Sequence, residues 1–172
     1  MMVQMVDLLA LCVFPFLMAY AAASDLFTMT ISNRICLALV ISFIGFSVMI
    51  GLPLDTIGWH LSCGLAMLVV TFILFTFGWI GGGDAKLAAA TAVWLGWGTI
   101  LDYNLLASII GGVITLFFIQ IRKSALPEWM NSREWIARLY DAQNGVPYGL
   151  ALSAAGLIIF PYTEIWRTAF RI

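Results

Sequence analysis

The sequence Gly81-Gly82-Gly83-Asp84-Ala85-Lys86 separates two long apolar segments and places a carboxylate between them. Consecutive glycines leave the backbone free to adopt positive φ angles, and they carry no side chains to block a close approach. A charged side chain near membrane depth is costly and usually has a functional reason. We therefore expect Asp84 to be a functional acid, whose partner must come from elsewhere in the chain.

The composition predicts a membrane protein rather than a soluble domain. Of the 172 residues, 63% are hydrophobic and only 10% are charged, whereas a soluble domain carries about 25% charged residues. So few charges cannot cover a globular surface, and the apolar runs are long enough to cross a bilayer. We predict an all-α, polytopic membrane helical bundle formed by a single domain, residues 1–172.

The apolar runs indicate about six transmembrane helices, because a span requires about 20 mostly apolar residues. The first run has no positively charged start and is long for a signal peptide, so we interpret it as a retained span. The fourth run is short and rich in alanine, which favours tight helix packing over lipid contact. The predicted spans are Met5–Ala23, Ile35–Leu52, Ile57–Trp79, Ala85–Leu101, Leu105–Ile121 and Val146–Ile165.

The distribution of lysine and arginine predicts the orientation in the membrane. Connections one, three and five share one side of the bundle, and they carry most of the positive charge: Arg34, Lys86, Arg122, Lys123, Arg133 and Arg138. The other side receives only Arg167 and Arg171. Positively charged connections face the cytoplasm, so Asp25 and Asp84 are both expected at the cytoplasmic end of a multi-pass membrane protein.

The longest hydrophilic segment, Arg122–Asn144, has an amphipathic pattern. At helical spacing, one broad face carries Trp129, Ile136, Leu139 and Tyr140, opposite Glu134, Arg138 and Asp141. An amphipathic cytoplasmic helix lying on the membrane surface fits this pattern. A helical lid packed over the bundle fits it equally well, so both interpretations stay open.

Asp25 and Asp84 together could perform acid–base chemistry. Two carboxylates within a few ångströms cannot both ionise cheaply, so they share a proton. One then acts as a general base on a water molecule, and the other acts as a general acid toward a peptide carbonyl or leaving nitrogen. This chemistry requires no metal ion, no other cofactor and no covalent nucleophile.

Other chemistries have less support in the sequence. The spacing of a phosphate-binding loop is absent, as is a GxSxG nucleophile motif. The single histidine, His60, is predicted on the side opposite the two aspartates, where we expect a hydrogen-bonded packing role. The cysteines form no CxxC pair, no cluster of His, Cys and carboxylates indicates a metal site, and nothing points to nucleic-acid binding.

Three motifs, in order along the chain, resemble those of the type IV prepilin peptidases. Gly81-Gly82-Gly83-Asp84 matches the GxGD motif of the membrane-embedded aspartic proteases. The stretch from Asp25 to Ile31-Ser32-Asn33 is similar to the region of the first aspartate, with Ser32 in place of a proline. Val146-Pro147-Tyr148-Gly149 resembles the Pro-Tyr-Gly element at the head of the last helix in the short members.

The resemblance implies that Asp25 and Asp84 are the catalytic pair. Gly81 and Gly83 are expected to set the backbone shape without taking part in the chemistry. Lys86 either stabilises a carboxylate or the substrate, or anchors the chain at the cytoplasmic surface. The remaining motif residues are expected to shape the site or to hold the last helix: Asn33, Pro147, Tyr148 and Gly149.

The length resembles the short branch of the family, the peptidases of Flp (tight-adherence) pilus systems. Longer members have an N-terminal cytoplasmic domain with paired cysteines that is linked to N-methylation, and this chain has no CxxC. The resemblance therefore implies cleavage of the short, positively charged leader of type IVb (Flp) prepilins or pseudopilins. The implied partners are these precursors, the lipid bilayer and Flp pilus assembly components, and the implied location is the bacterial inner membrane.

Alternatives exist for the residues and for the function. Asp84 could only cap the fourth helix, and Asp25 could only mark the end of the first span. The chain could be a GxGD protease that acts on another membrane precursor. It could also be a small transporter, since broken helices and membrane-edge acids occur there, or a structural subunit of a secretion assembly.

Overall fold

A computed structural model describes residues 12–124, 133–141 and 144–170, and all regular structure in these ranges is helical. A short 3-10 turn, Phe160–Tyr162, joins the last two helices. The chain is thus an all-α membrane bundle, as its composition predicts. The helices are α1 (Val13–Thr28), α2 (Asn33–Met49), α3 (Leu54–Thr76), α4 (Gly82–Leu95), α5 (Ile100–Ile121), α6 (Glu134–Tyr140), α7 (Tyr148–Ile159) and α8 (Glu164–Phe170).

The apolar helices differ in how well they could cross a bilayer unaided. Within the described ranges, α3 and α5 are long and apolar enough to do so. The α7–α8 segment also qualifies if its two parts, bent by 47°, are counted as one span. Helices α1 and α2 are shorter apolar helices, and the beginning of the predicted first span, from Met5, lies outside the described residues. Apolar helices therefore lie where spans were predicted, but within the described residues only α3, α5 and the bent α7–α8 segment are long enough to cross a bilayer.

Helix α4 is the centre of the bundle. Its 14 residues reach about 21 Å, which is short of the hydrocarbon thickness of a bilayer. The prediction that this span continues to Leu101 is wrong, because Gly96 adopts φ 70° and ends the helix before α5 begins. The small side chains of α4 are buried against α2, α3 and α7. Tight packing of small residues stabilises helix association in lipid, where helix burial brings little hydrophobic gain.

An aromatic cluster fixes the far end of α4. Trp94 is fully buried, and its indole N–H donates a hydrogen bond of 2.8 Å to the Leu39 carbonyl of α2. The rings of Phe14 and Phe46 lie 5.2 Å and 5.8 Å from the Trp94 ring, which ties α1 and α2 to α4. Such aromatic pairs add to the packing of the surrounding helices. The cluster therefore sets the position of α4, and with it the position of the glycine-rich start of the helix.

The described part of the hydrophilic segment packs on the bundle. In α6, Leu139 is buried, and the Trp135 ring meets the Phe27 ring of α1 edge to face at 5.2 Å. Arg138 donates a hydrogen bond to the Thr28 carbonyl at 3.4 Å. These contacts correspond to the lid interpretation of the amphipathic pattern, although Trp129 lies outside the described residues.

Candidate active site

Asp25 lies in the last full turn of α1 and is almost completely buried, with 5% of its surface exposed. Its Oδ2 accepts a hydrogen bond of 2.7 Å from the backbone N–H of Gly149, at the start of α7. A short hydrogen bond from a backbone N–H favours the ionised carboxylate. Asp25 thus joins the end of α1 to the beginning of α7.

Asp84 is the third residue of α4, and Gly81 is the residue that caps the helix. The carboxyl group turns back and accepts a backbone hydrogen bond from Gly81. This is the geometry by which an acid in the first turn satisfies a free N–H at a helix start. Asp84 therefore caps the start of α4, and its side chain also faces a cavity.

The glycines before Asp84 are required for close approach and not for positive φ. Gly81 has φ −72°, Gly82 and Gly83 belong to α4, and the glycine with positive φ in this turn is Gly78, at 73°. Of the two properties that the glycines offer, freedom to adopt positive φ is therefore not used at Gly81–Gly83. A Cβ atom on Gly83 would lie 3.3 Å from the Cβ of Ile31, so its missing side chain lets α4 meet the α1–α2 turn.

Asp25 and Asp84 line the same cavity, which has a volume of about 850 Å³. The cavity lies among α1, α3, α4, α5 and α7, and its walls are largely apolar. No lysine or arginine is among its described lining residues. Polar side chains besides the two aspartates are contributed mainly by the helices facing them: Thr71, Asn104, Ser108, Thr115, Asn144 and Tyr148.

Both acids lie outside the predicted spans, Asp25 after Ala23 and Asp84 before Ala85. The surroundings of each carboxyl group shift its pKa. Burial raises the pKa of Asp84, and the nearby charge of Asp25 raises it further, against the lowering effect of the Gly81 hydrogen bond. Burial also raises the pKa of Asp25, while the Gly149 hydrogen bond opposes this change. Both shifts favour a protonated carboxyl, so the arrangement favours a single negative charge on the pair.

Lys86 and Asn33 contact each other and not the two acids. The Lys86 Nζ donates a hydrogen bond of 2.9 Å to Oδ1 of Asn33, and both side chains are exposed. The contact joins the start of α4 to the start of α2. Ser32, which replaces the expected proline, caps α2 by accepting a hydrogen bond from the backbone N–H of Arg34. Lys86 and Asn33 therefore hold the starts of α4 and α2 together beside the site.

The Pro147-Tyr148-Gly149 element begins α7 and fits closely around the site. Pro147 is the buried capping residue, and Tyr148 lines the cavity. A Cβ atom on Gly149 would lie 2.8 Å from Oδ2 of Asp25, so a side chain there would displace the carboxylate. Gly149 is thus both the hydrogen-bond donor to Asp25 and the residue whose small size allows that bond.

Sequence reasoning missed two residues that hold this element. A Cβ atom on Gly111 of α5 would lie 2.2 Å from the Tyr148 ring, so the ring rests directly on that glycine. Arg122 donates hydrogen bonds to the Leu139 and Gly145 carbonyls, which fixes the chain just before α7. A glycine pair inside an apolar span and a lone arginine at its end were the available signals.

A second cavity, of about 800 Å³, lies at the opposite end of the bundle. His60 is buried beside it, with Nδ1 in a hydrogen bond of 2.8 Å to the Val93 carbonyl and Nε2 4.0 Å from a carboxylate oxygen of Glu164. This separates the histidine from the two aspartates. Within the described ranges, no group of three or more His, Cys, Asp and Glu side chains could hold a metal ion.

Comparison with known proteins identifies a protein family whose sequences resemble this chain. The sequence profile of the type IV leader peptidase family matches residues 12–116, which include both aspartates and the glycine-rich stretch. No curated protein matches the chain. No solved structure matches it either.

Proposed function

We propose that this chain, which belongs to the type IV leader peptidase family, is an aspartic endopeptidase that removes the leader of Flp-type prepilins or pseudopilins. The observation that carries the proposal is the shared cavity: Asp25 and Asp84 come from different helices, yet both line one largely apolar space. A peptide bond that enters this space meets both carboxylates, and no lysine or arginine is among the described residues that line it.

The two acids would divide the reaction between them. Asp25, whose carboxylate accepts the Gly149 N–H, takes a proton from a water molecule as its oxygen attacks the scissile carbonyl carbon. Asp84, whose pKa is raised by burial and by Asp25, gives its proton to the carbonyl oxygen. The tetrahedral intermediate then collapses: the C–N bond breaks, the leaving nitrogen takes a proton from the carboxyl group formed at Asp25, and one hydroxyl proton of the intermediate returns to Asp84, which restores both groups.

The cytoplasmic membrane face is the proposed place of cleavage. The end of the bundle that carries Asp25 and Asp84 also carries Arg34, Lys86 and Arg122, and positively charged connections stay in the cytoplasm. A positively charged leader remains on the same side by the same rule. In this arrangement the scissile bond lies between the cytoplasmic leader and the apolar helix that follows it.

Co-expression with a tagged Flp-type prepilin tests the proposal. Precursor size on a gel is compared for the wild type, Asp25→Asn and Asp84→Asn at equal membrane levels, because Asn keeps the shape of each side chain and removes the acid. Cleavage by the wild type and by neither variant is the expected result. Asp55→Asn, which changes an exposed acid near the start of α3, is the matched control and should cleave normally.

Other results would point elsewhere. A precursor left uncut by the wild type would reject this substrate class. Cleavage by Asp25→Asn would reject the assigned pair. Normal precursor size with both variants, together with a defect in pilus assembly, would favour a structural role.

A further inference from the structure

Asn104 places an amide in an apolar transmembrane helix, and that amide faces the cavity of the two aspartates. A polar side chain in such a helix is costly and usually has a functional reason. Its described contact is a weak one, from Nδ2 to the Met67 sulfur at 3.9 Å. This contact uses one of the four hydrogen-bonding positions of an asparagine side chain, so the amide has capacity for a ligand.

Two hydroxyl groups near Asn104 in the cavity wall already donate hydrogen bonds to backbone carbonyls. The Ser108 hydroxyl donates to the Asn104 backbone carbonyl at 2.7 Å. The Thr71 hydroxyl lies 2.8 Å from the Met67 carbonyl and 3.1 Å from the Ala85 carbonyl. Among these cavity-lining side chains, Asn104 has the greatest remaining capacity to bind a peptide backbone.

The depth of Asn104 follows from two contacts of α3. Thr71 reaches the Ala85 carbonyl, so it lies level with the residue after Asp84. Met67, which contacts Asn104, lies four residues earlier in α3. Four helical residues rise about 6 Å. Asn104 is therefore one to two helical turns further into the membrane than Asp84, at the floor of the cavity.

We propose that Asn104 is a positioning residue that binds the substrate backbone just after the scissile bond; this rests on the proposed function. The leader stays at the end of the bundle with the aspartates, and the apolar segment that follows it runs into the membrane. An extended chain advances about 3.3 Å per residue, so one to two helical turns correspond to roughly the second or third residue after the scissile bond.

The bilayer supplies the physical reason for such a residue. A substrate must be extended at the bond that is cut, and its N–H and C=O groups then lose their helical partners. Unsatisfied backbone groups are costly in a hydrocarbon environment. An amide at the floor of the cavity satisfies one of them and fixes which peptide bond lies between Asp25 and Asp84.

The test is a double-mutant cycle between enzyme and substrate. Purified enzyme is reconstituted in liposomes with a synthetic precursor peptide that contains the leader and first apolar segment of a Flp-type prepilin. In a substrate series, the backbone N–H of each of the second to fifth residues after the scissile bond is replaced in turn by an ester oxygen, which leaves the scissile amide unchanged. The enzymes are the wild type, Asn104→Leu, Asp84→Asn and Gln120→Leu, a matched control that changes an exposed amide near the end of α5.

The proposal predicts that Asn104→Leu lowers kcat/KM for the all-amide peptide by about 3- to 15-fold, the range of side-chain hydrogen bonds in membranes. Gln120→Leu should match the wild type. One ester position should lower the wild-type value by a similar factor and have little further effect in Asn104→Leu. Mass spectrometry should find a larger share of cuts at neighbouring bonds with Asn104→Leu, which a loss of stability alone would not produce.

The outcomes separate this inference from the proposed function. If the wild type cleaves, Asp84→Asn does not, and Asn104→Leu equals the wild type, the role of Asn104 is rejected while the peptidase stands. Independent, multiplicative effects at every ester position would also reject it. If the wild type fails to cleave the precursor, both proposals fall together.

Discussion

The backbone N–H of Gly149 donates a hydrogen bond of 2.7 Å to Oδ2 of Asp25. The bond joins the end of α1 to the start of α7 and directs one carboxylate oxygen of a buried acid. It explains why the Pro-Tyr-Gly element and the first aspartate belong to one site although they are far apart in sequence. Asp25 is therefore held in place by a backbone group that no side-chain substitution can remove directly.

Gly149→Ala should slow precursor cleavage by moving Asp25. The added Cβ would lie 2.8 Å from Oδ2 of Asp25 and 2.7 Å from the end of the Ile31 side chain, so the carboxylate must shift. Misplacing a catalytic group by about 1 Å lowers the reaction rate by about 10- to 100-fold. The precursor-cleavage assay measures the effect. Gly58→Ala, in α3 with no atom within 4 Å of the added Cβ, should keep wild-type activity, and equal activity of the two variants would contradict this account.

Asp84 should make the stability of the protein depend on pH. Burial and the charge of Asp25 raise its pKa above the ordinary 3.8, so the folded protein binds this proton more tightly than the unfolded chain does. This proton stabilises the folded protein fully when the pH is below the ordinary pKa of the carboxyl group. The stabilisation is lost as the pH rises through the raised pKa of Asp84 in the folded protein. The Tm of the wild type relative to Asp84→Asn should therefore fall between about pH 4 and about pH 8. Thermal unfolding in detergent measures this difference, and a constant value across the range would contradict the coupled pair.

Gly111→Ala and Gly112→Ala should differ sharply although they are neighbours on α5. A Cβ on Gly111 would lie 2.2 Å from the Tyr148 ring, whereas a Cβ on Gly112 meets nothing within 4 Å. The first change displaces Tyr148 from the cavity wall and should lower the cleavage rate by about 10-fold. The second should leave the rate unchanged. In a Tyr148→Ala background the Gly111 change should have little further effect, and an undiminished effect there would assign the loss to another contact.

Arg122→Met should loosen the chain that leads into α7. Arg122 donates to the Leu139 carbonyl at 2.9 Å and to the Gly145 carbonyl at 2.5 Å, and hydrogen bonds from a charged group contribute about 1.5–3 kcal/mol each. Their loss should slow precursor cleavage and speed trypsin cleavage after Arg133 and Arg138. Lys123→Met is the matched control, because Lys123 bonds only to Gln120 within the same helix end in the described structure. Equal trypsin patterns for the two variants would argue against this anchoring role.

The sequence by itself determined the class of fold and the end of the bundle at which the two aspartates meet. Hydrophobic runs are a local property of the chain, and the cost of exposing polar backbone in lipid forces each run into a helix. The motifs around Asp25, Asp84 and Pro147 are also local, so their resemblance to the type IV leader peptidases could be read directly. The charges of the connections are also local, so they predict the orientation of the bundle in the membrane. That orientation stays a prediction.

Only the tertiary structure decided how these residues contact one another. The Gly149–Asp25 hydrogen bond and the Lys86–Asn33 contact depend on helices packing from distant parts of the chain. Close approach, and not positive φ, explains the glycines before Asp84, since Ile31 of the α1–α2 turn occupies the space a side chain would need. Sequence patterns specify which faces are apolar, but the distances between faces follow from side-chain volumes that interlock only in the assembled bundle.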